Sequence, residues 1–104
     1  TMLDKLPRRE REIFEIVCRL GEATAADVHA ELRDPPSRSA VRTLLSRLEA
    51  RGMLKHRDEE QAYVYRCAPN GEKVQKAALQ QLVSTFFEGS GVRAATALIG
   101  LEKV

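Results

Sequence analysis

One stretch, from Ser37 to Gly52, constrains the fold of this chain more than any other. Its apolar residues follow the spacing i, i+3, i+4, i+7, which places them on one face of an α-helix. These residues are Val41, Leu44, Leu45 and Leu48. The pattern predicts an amphipathic helix that buries one stripe against a core.

The other face of this predicted helix is small and is edged by arginines. The small residues are Ser39, Thr43, Ser46 and Ala50, and the arginines are Arg38, Arg42, Arg47 and Arg51. Small side chains let a backbone approach base edges, and the major groove of B-DNA, about 12 Å wide, admits one helix. Guanidinium groups can then bind bases or phosphates. The face indicates a DNA-reading helix, although a surface helix with solvated arginines would share the pattern.

The residues after this helix favour the DNA-reading interpretation. Gly52 is suited to ending the helix. Two short runs follow, Leu54 to Arg57 and Ala62 to Cys67, and the second is rich in residues that favour strands. The residues between the runs predict a turn, so the two strands would form a hairpin.

Two shorter helices are predicted before the reading helix, after a leader at residues 1–6. Pro7 suits the first turn of a helix that continues to about Leu20. Thr24 followed by Asp27 matches a capping box for a helix from Ala25 to about Arg33. Ser37 can cap the third helix. Three helices and a hairpin in this order predict a winged helix-turn-helix, a mainly α fold with a small β-hairpin.

Positive charge is concentrated in this part of the chain. The net charge is only +2 over 104 residues, yet six basic residues and one acidic residue lie between Ser37 and Arg57. A local basic patch on a near-neutral chain favours nucleic acid as the partner. Phosphates would repel the acidic wing tip at residues 58–60, so the useful charge of the wing is expected at its base. The predicted DNA-binding residues are Ser37, Arg38, Ser39, Arg42, Thr43, Ser46, Arg47, Lys55 and Arg57.

Nothing in the sequence predicts catalysis. A nucleophile–base pair, a phosphate-binding loop and a cluster of metal ligands are all missing, so we expect no enzyme activity, no metal and no cofactor. Cys18 and Cys67 lie outside any CxxC pattern. We expect packing cysteines in a reducing cytoplasm, with a redox switch as the alternative. No apolar run approaches the ~20 residues of a membrane span.

The last part of the chain predicts a separate helical region at residues 69–104, after a winged-helix domain at residues 1–68. Pro69 to Gly71 predicts a break, followed by helices from Glu72 to Phe87 and from Val92 to Leu101. These helices carry more apolar surface than they can bury on each other. They would fold back on the winged helix or pair with a second copy, and we favour the second copy. The predicted dimerisation residues are Val74, Ala78, Leu82, Phe86, Phe87, Leu98 and Ile99.

These motifs together resemble the penicillinase-repressor and methicillin-resistance-repressor (BlaI/MecI) family over nearly the whole chain. The resemblance is strongest in VRTLLSRLEARGMLKH and continues in AYVYRC and LPRREREIFEIV. Members are bacterial dimeric repressors. The resemblance therefore implies a sequence-specific transcriptional repressor that binds a palindromic operator as a homodimer, with the helix from Ser37 to Gly52 in the major groove. It further implies that Arg42 and Thr43 approach bases and that Arg47 contacts the DNA backbone.

Some departures from the family pattern bear on operator preference and on regulation. Ala40 stands where the family often has Thr, which removes one hydroxyl from the reading face. Well-known members are inactivated by a protease that cuts an Asn-Phe pair, and this pair has no match near Leu98 to Leu101. An inactivating protease therefore stays open as a partner. The alternative function is a winged-helix module that binds protein, and duplex-DNA affinity that depends on salt would distinguish the two.

Overall fold

The computed structural model describes residues 2–102 of the chain, which form two compact units divided between Val74 and Gln75. The first unit begins with α1 (Met2–Lys5), α2 (Arg8–Leu20), β1 (Glu22–Ala23) and α3 (Ala25–Glu31). It continues with α4 (Arg38–Ala50), β2 (Leu54–Glu59) and β3 (Ala62–Cys67). The division falls inside α5 (Pro69–Phe87), and the second unit ends with α6 (Gly91–Leu101).

The helix ends of the first unit follow the local signals in the sequence. The Thr24 hydroxyl accepts the Asp27 N–H at 3.1 Å, and the Asp27 carboxylate accepts the Thr24 N–H at 3.0 Å, which completes the predicted capping box. At the end of α4, the Met53 N–H donates to the Leu48 carbonyl and the Gly52 N–H to that of Glu49, both at 2.9 Å. This is a Schellman ending, and Gly52 supplies its left-handed residue at φ 75°.

The wing is a three-stranded antiparallel sheet with the order β1-β3-β2. In the hairpin, Leu54 lies opposite Cys67 and Glu59 opposite Ala62, so the turn is only two residues long. The predicted hairpin and the winged-helix fold are confirmed. The added strand, β1, pairs Glu22 with Arg66 and Ala23 with Tyr65.

The core of the first unit is formed where the apolar stripe of α4 meets α2, α3 and the base of the wing. The predicted stripe is buried as expected, with Val41, Leu45 and Leu48 fully inaccessible and Leu44 partly exposed. Other fully buried or nearly buried side chains in this core are Ile13, Phe14, Val17, Val28, Met53, Leu54 and Tyr65. Each Å² of apolar surface that is buried stabilises the fold by about 25 cal/mol. The buried stripe therefore fixes the orientation of α4 and leaves the opposite face of the helix exposed to solvent.

Two segments differ from the predictions. The predicted leader contains the short helix α1, and Leu6 after it is buried at 5% exposure. The predicted break at Pro69 to Gly71 is the first turn of α5, because proline is tolerated at the first helical position. An ideal Cβ on Gly71 would lie 2.1 Å from the Met53 carbonyl oxygen, so the absence of a side chain there lets α5 begin against the core. Gly71 and Val74 are buried, which places the division between the units after the predicted boundary at residue 68.

Candidate nucleic-acid interface

The helix α4 presents its small, polar face to solvent. Ser37 caps it by accepting the Ala40 N–H at 3.2 Å, and the Thr43 hydroxyl donates to the Ser39 carbonyl at 3.1 Å. These local hydrogen bonds hold the small side chains close to the helix surface, so the face stays flat between its arginines. The predicted reading residues on this face are all exposed, and they are Ser37, Arg38, Ser39, Arg42, Thr43, Ser46 and Arg47.

Three arginines on this face have no acidic partner among residues 2–102. Arg38, Arg42 and Arg47 are exposed, and no carboxylate in the described part of the chain forms an ion pair with them. Each guanidinium keeps its five donors for solvent or for a ligand. Exposed arginines without ion pairs also fit the interpretation of a solvated surface helix. Arginines that border a face of small side chains, however, are the arrangement that can enter a DNA groove.

A fourth arginine of the basic stretch has a structural role instead. Arg51, at the end of α4, donates from Nε to the Glu10 carboxylate of α2 at 2.9 Å. Glu10 is 2% exposed, and Arg51 is its ion-pair partner among the described residues. Removing the partner of a buried carboxylate strongly destabilises the folded protein, because it leaves an uncompensated charge in the core. The pair therefore anchors the end of the reading helix to α2.

The base of the wing holds two predicted DNA-binding residues in different environments. Lys55 is exposed and has no ion-pair partner among the described residues. Arg57 donates to Glu59 at 2.7 Å and also to Glu22 of β1. The hydrogen bond to Glu22 is the main reason why the pKa of Arg57 is raised, and the same bond lowers the pKa of Glu22. Arg57 thus belongs to a cluster with two carboxylates, and a phosphate would have to compete with them.

The contact between the wing and the reading helix was not predicted. His56 of β2 lies 2.7 Å from Glu49 of α4 through Nδ1, and its ring stacks on Tyr63 with 4.1 Å between ring centroids. Tyr65 lies beside them, and burial, followed by the charge on Glu49, raises its pKa. His56 and Glu49 are seven residues apart in the sequence, and the turn at the end of α4 brings them into contact. This cluster fixes the wing against α4.

The second unit carries an apolar groove of about 450 Å³ between the last part of α5 and α6. Its lining includes Leu79, Leu82, Phe86, Phe87, Leu98 and Leu101. Leu82, Phe86 and Leu98 are 46%, 70% and 55% exposed. Two other predicted dimerisation residues, Ala78 and Ile99, are exposed but do not line the groove. Val74 was predicted on this surface, but it packs into the core of the first unit at 9% exposure.

Residues 2–102 contain neither a metal-ligand cluster nor a membrane-spanning helix. No group of three or more His, Cys, Asp or Glu side chains in this range is placed to hold a metal ion. None of the helices in it combines the length and apolar character needed to cross a membrane.

Several solved structures of transcription regulators share the fold of this chain at low sequence identity to it. RosR of H. salinarum superposes with a TM-score of 0.67 at 14% identity, over 92% of this chain and 91% of RosR. FabT of Streptococcus pneumoniae, solved in complex with DNA, gives 0.63 at 19% identity over 97% of this chain and 74% of FabT. A MarR mutant from E. coli gives 0.64 at 13% identity, over 96% and 82%. At these identities the likeness establishes the winged-helix fold.

The family follows from the sequence itself. No curated protein matches the chain. The family model described as penicillinase repressor matches residues 6–104, which includes all of α2 to α6 and therefore the reading helix, the wing and the apolar groove. This chain belongs to the penicillinase repressor family of winged-helix regulators.

Proposed function

We propose that this protein is a transcriptional repressor that binds duplex DNA in a sequence-specific manner, with α4 in the major groove. The observation that carries the proposal is the exposed face of α4, where three arginines with no acidic partner among the described residues border small polar side chains. A helix with bulky side chains on this face would stand too far from the base edges to bond them. The family membership and the DNA complex of the similar FabT structure support the same function.

Within this proposal the residues of α4 divide into base-reading and backbone-binding groups. Arg42 borders the small face near the middle of the length of α4, where its guanidinium can make a bidentate contact to a guanine edge. Thr43 is beside it and offers a methyl group and a hydroxyl. Arg38 and Arg47 lie nearer the two ends of the helix, where the phosphate backbones flank the groove. Ser37, Ser39 and Ser46 are small enough to allow close approach.

Lys55 supplies the free charge of the wing in this scheme. Arg57 contacts phosphate only when its bonds to Glu22 and Glu59 are exchanged, because the cluster of three side chains carries a net charge of −1. The wing therefore contributes less to affinity than its number of basic residues suggests. The acidic tip of the wing lowers this contribution further, because phosphates repel the exposed side chains of Asp58, Glu59 and Glu60.

A homodimer on a palindromic operator is the second part of the proposal. The groove of the second unit is apolar and open, and exposed apolar patches on this scale mark interaction sites. Val92 and Ile99, at 79% and 73% exposure, extend the apolar surface along α6. A second copy offers the same surface, and a two-fold dimer would place two copies of α4 on half-sites about 34–36 Å apart or a multiple of this. The cytoplasm is the compartment where such a repressor meets DNA, and an inactivating protease remains a candidate partner.

The test is a salt titration of duplex-DNA affinity. A protein that neutralises Z phosphates loses affinity with a log–log slope of about −0.9Z. We expect a steep negative slope for the wild type, smaller by about one for Arg47→Ala and unchanged for Arg19→Ala, an exposed arginine of α2 that lies 3.5 Å from Glu31. A salt-independent affinity, or no affinity for any duplex, would favour the protein-binding module instead.

A further inference from the structure

The two cysteines of the chain are in contact, although they are 49 residues apart. The Sγ atoms of Cys18, in the second half of α2, and Cys67, the last residue of β3, are 3.2 Å apart. Both are free thiols, and both residues are partly exposed to solvent. Cysteines that only fill space do not need their sulfur atoms to face each other. This arrangement places two oxidisable atoms together where no other function uses them.

We propose that Cys18 and Cys67 are a redox-active pair that closes into an intramolecular disulfide when the protein meets a low-molecular-weight disulfide. The inference is independent of DNA binding and of the dimer, because neither sulfur lies on the exposed face of α4 or in the groove of the second unit.

The geometry favours closure with little rearrangement. A disulfide has its sulfur atoms about 2.05 Å apart, so the two atoms need to approach by only about 1.2 Å. The neighbours of both residues are held in the core: Val17 is inaccessible, and Leu54, which lies opposite Cys67 in the sheet, is 1% exposed. Small rotations of the two side chains can therefore supply the movement while the helix and the strand keep their positions.

The chemistry is two successive thiol–disulfide exchanges. The Cys67 sulfur, as thiolate, attacks one sulfur of the small disulfide, which forms a mixed disulfide and expels one small thiol. The Cys18 sulfur then attacks Cys67, forms the Cys18–Cys67 bond and expels the second small thiol. Two electrons pass from the two cysteines to the small disulfide, and the two protons leave on the released thiols.

The order of the two steps follows from the environment of Cys18. Burial, and then the hydrogen bond with Cys67, raises the pKa of Cys18 to about 12. A thiol that stays protonated near neutral pH is a poor first nucleophile, because the thiolate is the reactive form. Once Cys67 carries the small thiol, Cys18 is already in contact with the sulfur that it must attack.

The closed disulfide would connect α2 to the base of the wing. The loop that it closes contains α3, α4 and the whole hairpin, so it restrains every element that carries a predicted DNA-binding residue. A cross-link over a loop of this length removes a large part of the freedom of the unfolded chain. The oxidised protein should therefore melt at a higher temperature, by on the order of 10 °C.

The experiment treats the full chain with oxidised glutathione and follows intact mass and thermal midpoint. We expect the wild type to lose two hydrogen atoms without keeping glutathione, to melt higher, and to return to the starting mass and midpoint with dithiothreitol. Cys18→Ser should instead keep one glutathione on Cys67, because the second nucleophile is missing. Cys67→Ser should react much more slowly.

Three outcomes would overturn the proposal. They are a wild type that accumulates glutathione adducts, one that forms disulfides only between chains, and one that does not react under conditions that modify Cys18→Ser. The wild type alone shows the expected product and the first two contrary outcomes, so a variant that fails to fold does not prevent the test.

Discussion

Replacing Gly71 by alanine should destabilise the first unit, although alanine is the better helix former. Gly71 lies in the first turns of α5, and the backbone there passes directly over the end of α4. An alanine Cβ would stand 2.1 Å from the Met53 carbonyl oxygen and 3.0 Å from a ring carbon of Phe14, whereas ordinary contacts begin at 3.4 Å. The helix or the carbonyl must therefore move by more than 1 Å.

The size of the effect follows from what that movement breaks. The Met53 carbonyl accepts the Ala68 N–H at 2.9 Å, so its displacement weakens a hydrogen bond worth about 0.5–1.5 kcal/mol. Overpacking adds about 1–3 kcal/mol, and the helix propensity of alanine returns about 1 kcal/mol. The net loss in the free energy of unfolding is about 2 kcal/mol, which lowers the midpoint of a small domain by about 10 °C.

The assay is thermal and urea unfolding of Gly71→Ala, with Gly91→Ala as the matched control. Gly91 opens α6, and an added Cβ there meets no atom within 4 Å, so the control should stay within about 0.5 kcal/mol of the wild type. If Gly71→Ala is as stable as the wild type or more stable, the close approach of α5 to Met53 is wrong.

Two further predictions concern the groove and the wing. Leu82→Asp should give monomers that bind a full palindrome little better than a half-site, whereas Gln80→Asp, at an exposed polar position of α5, should stay dimeric. Sedimentation measures the oligomeric state of both variants, and DNA titration measures their affinities. A dimeric Leu82→Asp would refute the proposed interface. Because Arg57 lowers the pKa of Glu22, their ion pair stabilises the fold above the ordinary carboxyl pKa, 4.5, and this contribution is lost as pH falls through the lower folded value. The midpoint of Glu22→Gln should therefore lie slightly below that of the wild type at pH 7, and the two midpoints should converge as pH falls well below the ordinary carboxyl pKa. A difference that persists in strong acid would contradict the assignment.

Local signals made α4 and its neighbours predictable. The cap at Ser37, the capping box at Thr24 and the left-handed Gly52 act within a few residues, so the sequence contains the whole interaction. The apolar spacing identified the buried face of α4 directly. The two-residue strand β1 has no periodicity to detect, and its pairing is decided by a partner strand about 40 residues later.

Long-range partners could not be predicted from pattern. Arg51 belonged to the basic stretch by sequence, but its partner Glu10 is 41 residues away. Arg57 and Glu22 are 35 residues apart, so the charge of the wing is smaller than a local count suggests. Glycine disfavours helices, so Gly71 predicts a break, whereas here the close approach of the Met53 carbonyl to the helix requires glycine. Each difference arises where tertiary contact decides the role of a residue.

The most direct test of the central claim is selection of bound sequences from a randomised duplex library by the wild type, Arg42→Ala and Arg19→Ala. The wild type and Arg19→Ala should enrich the same two-fold symmetric site. Arg42→Ala should lose preference at one base pair in each half-site and bind the selected site more weakly by roughly 1–3 kcal/mol per half-site. An Arg42→Ala protein with the preference and affinity of the wild type would contradict the role of α4 as the reading helix.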